Sequence, residues 1–370
     1  MRDTTLHHRG TLPVIAGSCV IRNNDVSTWS LTVDGNNVRS ERFQPGWGIQ
    51  IFDTFGNQVL SGPATEMKTV VSGDNRTRTL TISGVSDDTY LSDSLVIPNP
   101  TEGAEADSDL WKATGAAETV MRKLVNEQIG PSAPDDYRIS DLVVMADGGR
   151  GAEVSVSERF TNILEVLQAQ ATTASLLFTV RQAGQELQFR ISEPRDLTKA
   201  VRLTRHNGAV GEYSTERKAP EATEAIVGGV GSGATRKMWR VPSEVGDWNR
   251  RVTKFVDRQS TSDEDELQQA AENELENKGE KASVTFEAND IPRLRYGRDY
   301  VVGDKITVNL DESLIQDTLQ VAEMSWDEKG RVTKMQVGPV ADESKLNEST
   351  GTVLELYKKI WAEVRRNQTR

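Results

Sequence analysis

The stretch Tyr296–Gly338 restricts the possible fold more than any other part of this chain. Ile306, Val308 and Leu310 alternate with Lys305, Thr307 and Asn309, the two-residue period of a strand with one face buried. Thr318–Trp326 is a second run rich in strand formers. Asp327-Glu328-Lys329-Gly330 supplies a turn, with Gly330 free to take positive φ. Val332–Val337 then runs back with Thr333, Met335 and Val337 on one face. Strands this close, joined by turns, form a meander, the unit of a small antiparallel sandwich or barrel.

An earlier stretch has a similar build. Gly46-Trp47-Gly48-Ile49-Gln50-Ile51 shares its spacing with Gly303-Asp304-Lys305-Ile306-Thr307-Val308: Gly, two residues, Ile, one residue, then Ile or Val. Thr54-Phe55-Gly56-Asn57 turns the chain, and Leu80 and Ile82 alternate with Thr79, Thr81 and Ser83. The later strands do not align at identical spacing. Short antiparallel strands commonly look alike, so the spacing alone does not establish a duplication.

The rest of the chain divides by changes of period. Residues 1–100 read as β: Trp29, Leu31 and Val33 alternate, Asp34-Gly35-Asn36-Asn37 turns, and Pro98 and Pro100 end the module because proline cannot donate to a ladder. Residues 101–199 read as a small α/β domain that opens on an acidic linker. Ala116, Val120 and Leu124, with Val125 beside them, lie on one helical stripe that Gly130-Pro131 stops. Phe160, Ile163, Leu164 and Leu167 form a second stripe, for which Ser157 is the expected cap. Leu176–Val180 and the alternating Leu187, Phe189 and Ile191 read as paired strands about Ala183-Gly184. Residues 200–340 are expected to be a second β domain, with strands near Ala200–Leu203, Ala225–Gly229 and Val252–Asp257. Thr204–Lys218 shows no clear period. A helix at 262–278 is inserted, capped by Ser262 and carrying acids where the helix dipole favours them. Residues 341–370 are a linker and a C-terminal helix in which Val353, Tyr357, Ile360 and Val364 recur at coiled-coil spacing and Trp361 widens the face. These five are the candidate contacts to a neighbouring subunit or protein, the alternative being a helix docked on the chain's own domain. The expected fold class is thus α+β and mainly β: two barrel-like antiparallel domains joined by a small α/β domain, with a terminal helix.

Chemistry is sparse. The net charge is −12, which argues against nucleic acid or an anionic membrane as the main partner. No stretch has the length and apolarity of a membrane span, and Met1–Gly10 carries no secretory signal. Cys19 is the sole cysteine, so no intrachain disulfide can form, and the chain reads as one folded in the cytoplasm. His7, His8 and His206 show no metal-ligand spacing, and a Cys–His nucleophile would have to recruit Cys19 and His206 with no local signature. Gly228-Gly229-Val230-Gly231-Ser232-Gly233 lacks the Lys-Ser/Thr ending and the following helix of a phosphate cradle and reads as a mobile loop. The acid pairs Asp87-Asp88 and Asp135-Asp136 sit in turn-like contexts, where solvation or capping is expected. No metal, cofactor or catalytic residue is assigned.

Several pieces taken in order resemble the tail-hub (baseplate hub or minor tail protein) family of long-tailed actinobacterial bacteriophages. They are Leu60-Ser61-Gly62 with Thr81–Val85, Leu91–Pro98, Ala117–Val120 with Leu124-Val125, Ser157–Phe160, Tyr213 with Pro220 and Thr223, and above all Arg295-Tyr296-Gly297 through Val308 with Tyr300 and Gly303-Asp304. The resemblance implies two barrel-like domains per chain and a homotrimer that approximates sixfold symmetry. Such a ring would join the tail tube or distal tail protein to the tip, beside the tape measure protein and receptor-binding proteins, and surround the channel through which DNA passes. It implies a virion location at the tail tip after assembly in the host cytoplasm, no stable membrane association, and no catalysis, since the chain ends soon after the second β module. Two other readings compete: a cell-wall hydrolase, and a glycan-binding module using Trp239, Trp248 or Trp326.

Overall fold

The computed structural model describes residues 1–73, 78–101, 110–242, 246–258, 262–310 and 313–338. The expected C-terminal helix lies outside them. The N-terminal module contains β1 (Val14–Arg22), β2 (Thr28–Asp34), the short helix α1 (Val38–Glu41), β3 (Gly48–Phe52), β4 (Gln58–Val71) and β5 (Arg78–Val85). The middle of the chain forms α2 (Thr89–Ser92), β6 (Trp111–Ala116), α3 (Ala117–Gln128), β7 (Leu142–Val144), β8 (Glu153–Glu158), α4 (Ile163–Ala174), β9 (Leu177–Ala183) and β10 (Glu186–Ser192). There follow β11 (Arg202–Thr204), β12 (Val210–Lys218), β13 (Glu224–Gly228), β14 (Met238–Pro242), β15 (Thr253–Asp257), α5 (Glu264–Lys278), β16 (Lys281–Ala288), β17 (Lys305–Leu310), β18 (Ser313–Asp327) and β19 (Gly330–Val337). The protein is mainly β, as the alternating patterns require.

The two β modules do not close into separate barrels. They share one 11-stranded sheet in the order β12-β16-β19-β18-β1-β2-β5-β4-β3, with β17 and β11 branching from β18. One hydrophobic core underlies both, including Trp29, Leu31 and Ile82 from the first module and Phe286, Ile306 and Met335 from the second. The closing pair is β18 with β1, antiparallel from Gly17↔Trp326 to Arg22↔Val321.

The modules are repeats of one strand plan. In the first, β1-β2-β5-β4-β3 are neighbours; in the second, β12-β16-β19-β18 are, with β17 on β18. Gly46 and Gly303 both hold positive φ, 84° and 95°, two residues before β3 and β17. The residue three on from each, Ile49 or Ile306, is buried. The long strands β4 and β18 each pair first with the preceding short strand and then with the following one, and the ladder slips by one residue at the switch, between Ala64 and Glu66 and between Leu319 and Val321. The first strands slip too, between Val14 and Ala16 and between Val210 and Tyr213. These matched bulges fix a residue-by-residue correspondence in which Trp29 matches Val284, Leu31 matches Phe286 and Ile82 matches Met335. Each residue of these pairs is buried.

The middle segment packs α3 and α4 against the paired strands β6 and β8 and the sheet β7-β10-β9, around a second core that includes Leu124, Ile163, Leu167 and Phe189. Helix α4 starts later than Ser157 would set it. Phe160 is exposed at φ 53°, and Asn162 is the cap, its Oδ1 accepting from the Leu164 N–H at 2.9 Å. Ala116, the first residue of the predicted stripe, is the last residue of β6, and α3 begins at Ala117. Helix α5 is capped by Asp263 rather than Ser262. It lays Leu267 and Ala271 on Ala225 and Val227, a small third core. This unit of β13, β14, β15 and α5 occupies the connection from β12 to β16, where the first module has only the short β1–β2 turn.

Candidate assembly surface

Two features of the β framework stand out chemically: a buried polar knot beside β4 and β5, and two exposed strand edges. The knot forms because β4 bends. A Cβ at Gly62 would lie 1.8 Å from the Val85 carbonyl oxygen, so only glycine lets β4 cross the end of β5 there. The bend brings Ser61 to the turn after β5, where Ser61 Oγ donates to Asp87 Oδ2 at 2.6 Å. Arg2 enters from the N-terminal arm, its N–H bonded to the Gly48 carbonyl at 2.9 Å. Its guanidinium forks onto both oxygens of Asp87, the Nη1–Oδ2 bond being 2.9 Å, and Nη1 also donates to Gln182 Oε1 at 3.0 Å. Asp88 takes the Val180 N–H at 2.7 Å and the Ser86 hydroxyl at 2.8 Å. Burial outweighs those bonds and, with Asp87 adjacent, holds the Asp88 carboxyl up at about 6.

The acid pair Asp87-Asp88 is therefore not solvated: both residues are buried, and Asp87 is ion-paired. Its partners lie far away in sequence, which no local pattern could show. Asp135 and Asp136 are exposed, Asp135 pairing with Arg138 at 2.9 Å.

The outer half of β4 is open. From Thr65 to Val71 every residue is exposed, and among the described ladders Glu66–Val71 pairs only with β5. Among the described residues strand β12 is the terminal strand of the sheet, pairing only with β16, and Glu212–Arg217 are all exposed. Met67, Val70, Val71 and Tyr213 are among the large exposed apolar side chains of these two edges. Their counterparts, β18 and β1, pair with each other inside the chain, and there Val321, Ala322, Met324, Cys19, Val20 and Ile21 are buried.

The other sequence candidates fall elsewhere. Val353, Tyr357, Ile360, Trp361 and Val364 lie outside the described residues. Cys19 is buried in the β core, which pushes its thiol up to about 12, and His206 is on the exposed Arg205–Gly208 turn. The glycine run after β13 turns its carbonyls onto Arg236, with Nη2 to Gly228 O at 2.7 Å and Nε to Gly229 O at 2.9 Å, the opposite polarity to a phosphate cradle. Trp326 lies across Gly17 beneath the β1–β18 ladder, Trp239 packs on the α5 unit, and Trp248 is exposed. Among the described residues no group of His, Cys, Asp or Glu is arranged to hold a metal, and no helix is long and apolar enough to cross a membrane. A cleft between β8 and α5 is lined by Ser157, Glu158, Gln170, Arg258, Glu266 and Asn273, with Arg258 paired to Glu158 at 3.2 Å.

Solved structures share this fold. The 43 kDa tail protein of prophage MuSo2 from Shewanella oneidensis superposes with a TM-score of 0.56 at 13% identity, over 88% of this chain and 94% of that one. The tail protein from Neisseria meningitidis MC58 gives 0.56 at 15% identity, over 88% and 92%. Prophage tail protein gp18 from Listeria monocytogenes EGD-e gives 0.53 at 10% identity, over 96% and 98%. Comparison with curated proteins found no significant match. The chain belongs to the siphovirus tail protein family described as Siphovirus ReqiPepy6 Gp37-like protein, whose model matches residues 1–339.

Proposed function

We propose that this phage tail structural protein is a tail hub. Three copies would form a ring of six similar β modules at the tail tip and so match a sixfold tube to a threefold tip. The observation that carries this reading is the duplicated strand plan, with the same bulges in both halves. A single module would give a trimer three equivalent faces; two give six. The fold shared with phage and prophage tail proteins supports the setting. Residues 1–100 and 200–340 supply the two repeats, and residues 101–199 are a separate α/β domain on the ring.

The expected neighbours are a distal tail or tail tube protein, the tape measure protein and further tip or receptor-binding proteins. DNA is a passenger: with 56 acids against 44 Lys and Arg, a net charge of −12 per chain, an acidic channel lining would repel phosphate and let the duplex slide through. The five apolar residues of the C-terminal segment, Val353 to Val364, would dock the next tip protein. Assembly takes place in the host cytoplasm. A reconstruction of the isolated tail tip tests this: three copies in one ring, six modules facing the tube, support it; a single copy or a peripheral fibre position refutes it.

A further inference from the structure

Outward-facing edge strands usually carry charges that keep other chains away. The charges on the two open edges here have a different arrangement. The duplication assigns each open strand a counterpart whose partner is known. Strand β4 from Glu66 to Val71 corresponds to β18 from Val321 to Trp326, because they face matched residues of their following strands, β5 and β19, past a matched bulge. Strand β12 from Tyr213 to Lys218 corresponds to β1 from Gly17 to Arg22 through their ladders with β16 and β2. Inside the chain β18 and β1 pair directly. Between chains the same junction would pair β4 with β12.

We propose that the outer half of β4 forms an antiparallel ladder with β12 of a second copy of this chain, in the register of the internal β18–β1 ladder. Transferring that register places Val71 opposite Tyr213, Val70 opposite Ser214, Thr69 opposite Thr215, Lys68 opposite Glu216, Met67 opposite Arg217 and Glu66 opposite Lys218. Two opposite-charge pairs, of reversed sense, and an aromatic–β-branched pair meet without adjustment, each a favourable cross-strand combination. A one-residue slip would set Lys68 against Arg217 and turn every side chain to the wrong face. Existing contacts are compatible: Lys218 pairs with Glu216 at 3.8 Å, and Arg217 is held from its own chain by Glu280 at 2.6 Å. The interface joins two different edges, so it propagates head to tail and closes only as a ring. This deepens the hub reading and names the edges by which its copies join.

The test uses the full chain with Thr69→Cys and Thr215→Cys. Directly opposed antiparallel residues stand about 4.5–5.5 Å apart at Cα, within disulfide reach. Oxidation is expected to give covalent multimers on a non-reducing gel, while Thr69→Cys with Ser214→Cys, one residue out of register, gives none. Lys68→Glu or Glu216→Lys alone is expected to weaken self-association about tenfold, and the two together to restore it. Both side chains are exposed, so the melting temperature of the single variants reports that they remain folded. If the wild-type chain forms a trimer yet the in-register cysteines do not cross-link and the charge variants change nothing, the edge junction is wrong and the hub reading stands. If the wild-type chain neither associates nor cross-links, both are wrong.

Discussion

Arg2→Ala is the most informative single perturbation of the framework. The Arg2 side chain is 3% exposed and that of Asp87 0%. Its guanidinium ties the N-terminal arm to the turn after β5 and to Gln182 on β9, so it joins the first β module to the middle segment. Truncation leaves the Asp87 carboxylate in place with the Ser61 hydroxyl as its remaining side-chain donor. Removing one partner of a buried pair costs about 3–5 kcal/mol, because the other charge stays desolvated. For a protein of this size that corresponds to a fall of roughly 4–6 °C in melting temperature. Adding Asp87→Asn removes the stranded charge while keeping an oxygen for Ser61, so the double variant should recover at least half of the loss. Thermal unfolding followed by circular dichroism, completed as a double-mutant cycle, measures both values. A single-variant loss below about 1 kcal/mol, or a double variant no better than Arg2→Ala, would refute the assignment of Arg2 and Asp87 as the tie.

Three further outcomes follow from the same coordinates. Asp88 titrates near 6 in the fold against the usual 3.8, so its ionisation lowers stability by about 3 kcal/mol above pH 6 and by nothing below about pH 4; Asp88→Asn should stabilise more near pH 8 than near pH 4.5, and an equal effect at both would exclude this. A Cβ at Gly84 would fall 2.2 Å from the Pro63 carbonyl oxygen and 2.4 Å from the Trp29 ring, so Gly84→Ala should cost about 1–3 kcal/mol by urea unfolding, although the matching position in the other module holds Val337 comfortably. Deleting residues 351–370 should leave the mass of the oligomer unchanged and impair tip assembly; particles that assemble normally would remove the docking role of Val353, Tyr357, Ile360, Trp361 and Val364.

The parts of the fold that were legible in the sequence are those whose environment repeats every two or every few residues. Ile306, Val308 and Leu310, and Leu187, Phe189 and Ile191, each have one buried face, and their alternation says so. Strand β12 was illegible for the opposite reason: Glu212–Arg217 are exposed on both faces, so no period is imposed. That strand is one of the two edges now assigned to assembly. The duplication was half visible, through Gly46 and Gly303, where both need positive φ. It faded further along because the β3–β4 and β4–β5 connections are each longer than their counterparts, which shifts the numbering but not the ladders. The Asp87 knot was hidden because Arg2 lies 85 residues away in the chain. The cap of α4 was available: Asn162 stands three residues before Glu165, the spacing of a capping box, and outranks Ser157.

The central claim is that one chain carries two interchangeable β modules so that three chains make a six-part ring. Light scattering on the purified full-length chain, paired with electron-microscopic class averages of the same fraction, tests it most directly. The expected result is a mass of about 123 kDa, three times 40.9 kDa, and ring views with six similar lobes. A particle that stays at 40.9 kDa at every concentration, or a ring whose lobes number other than six, would contradict it.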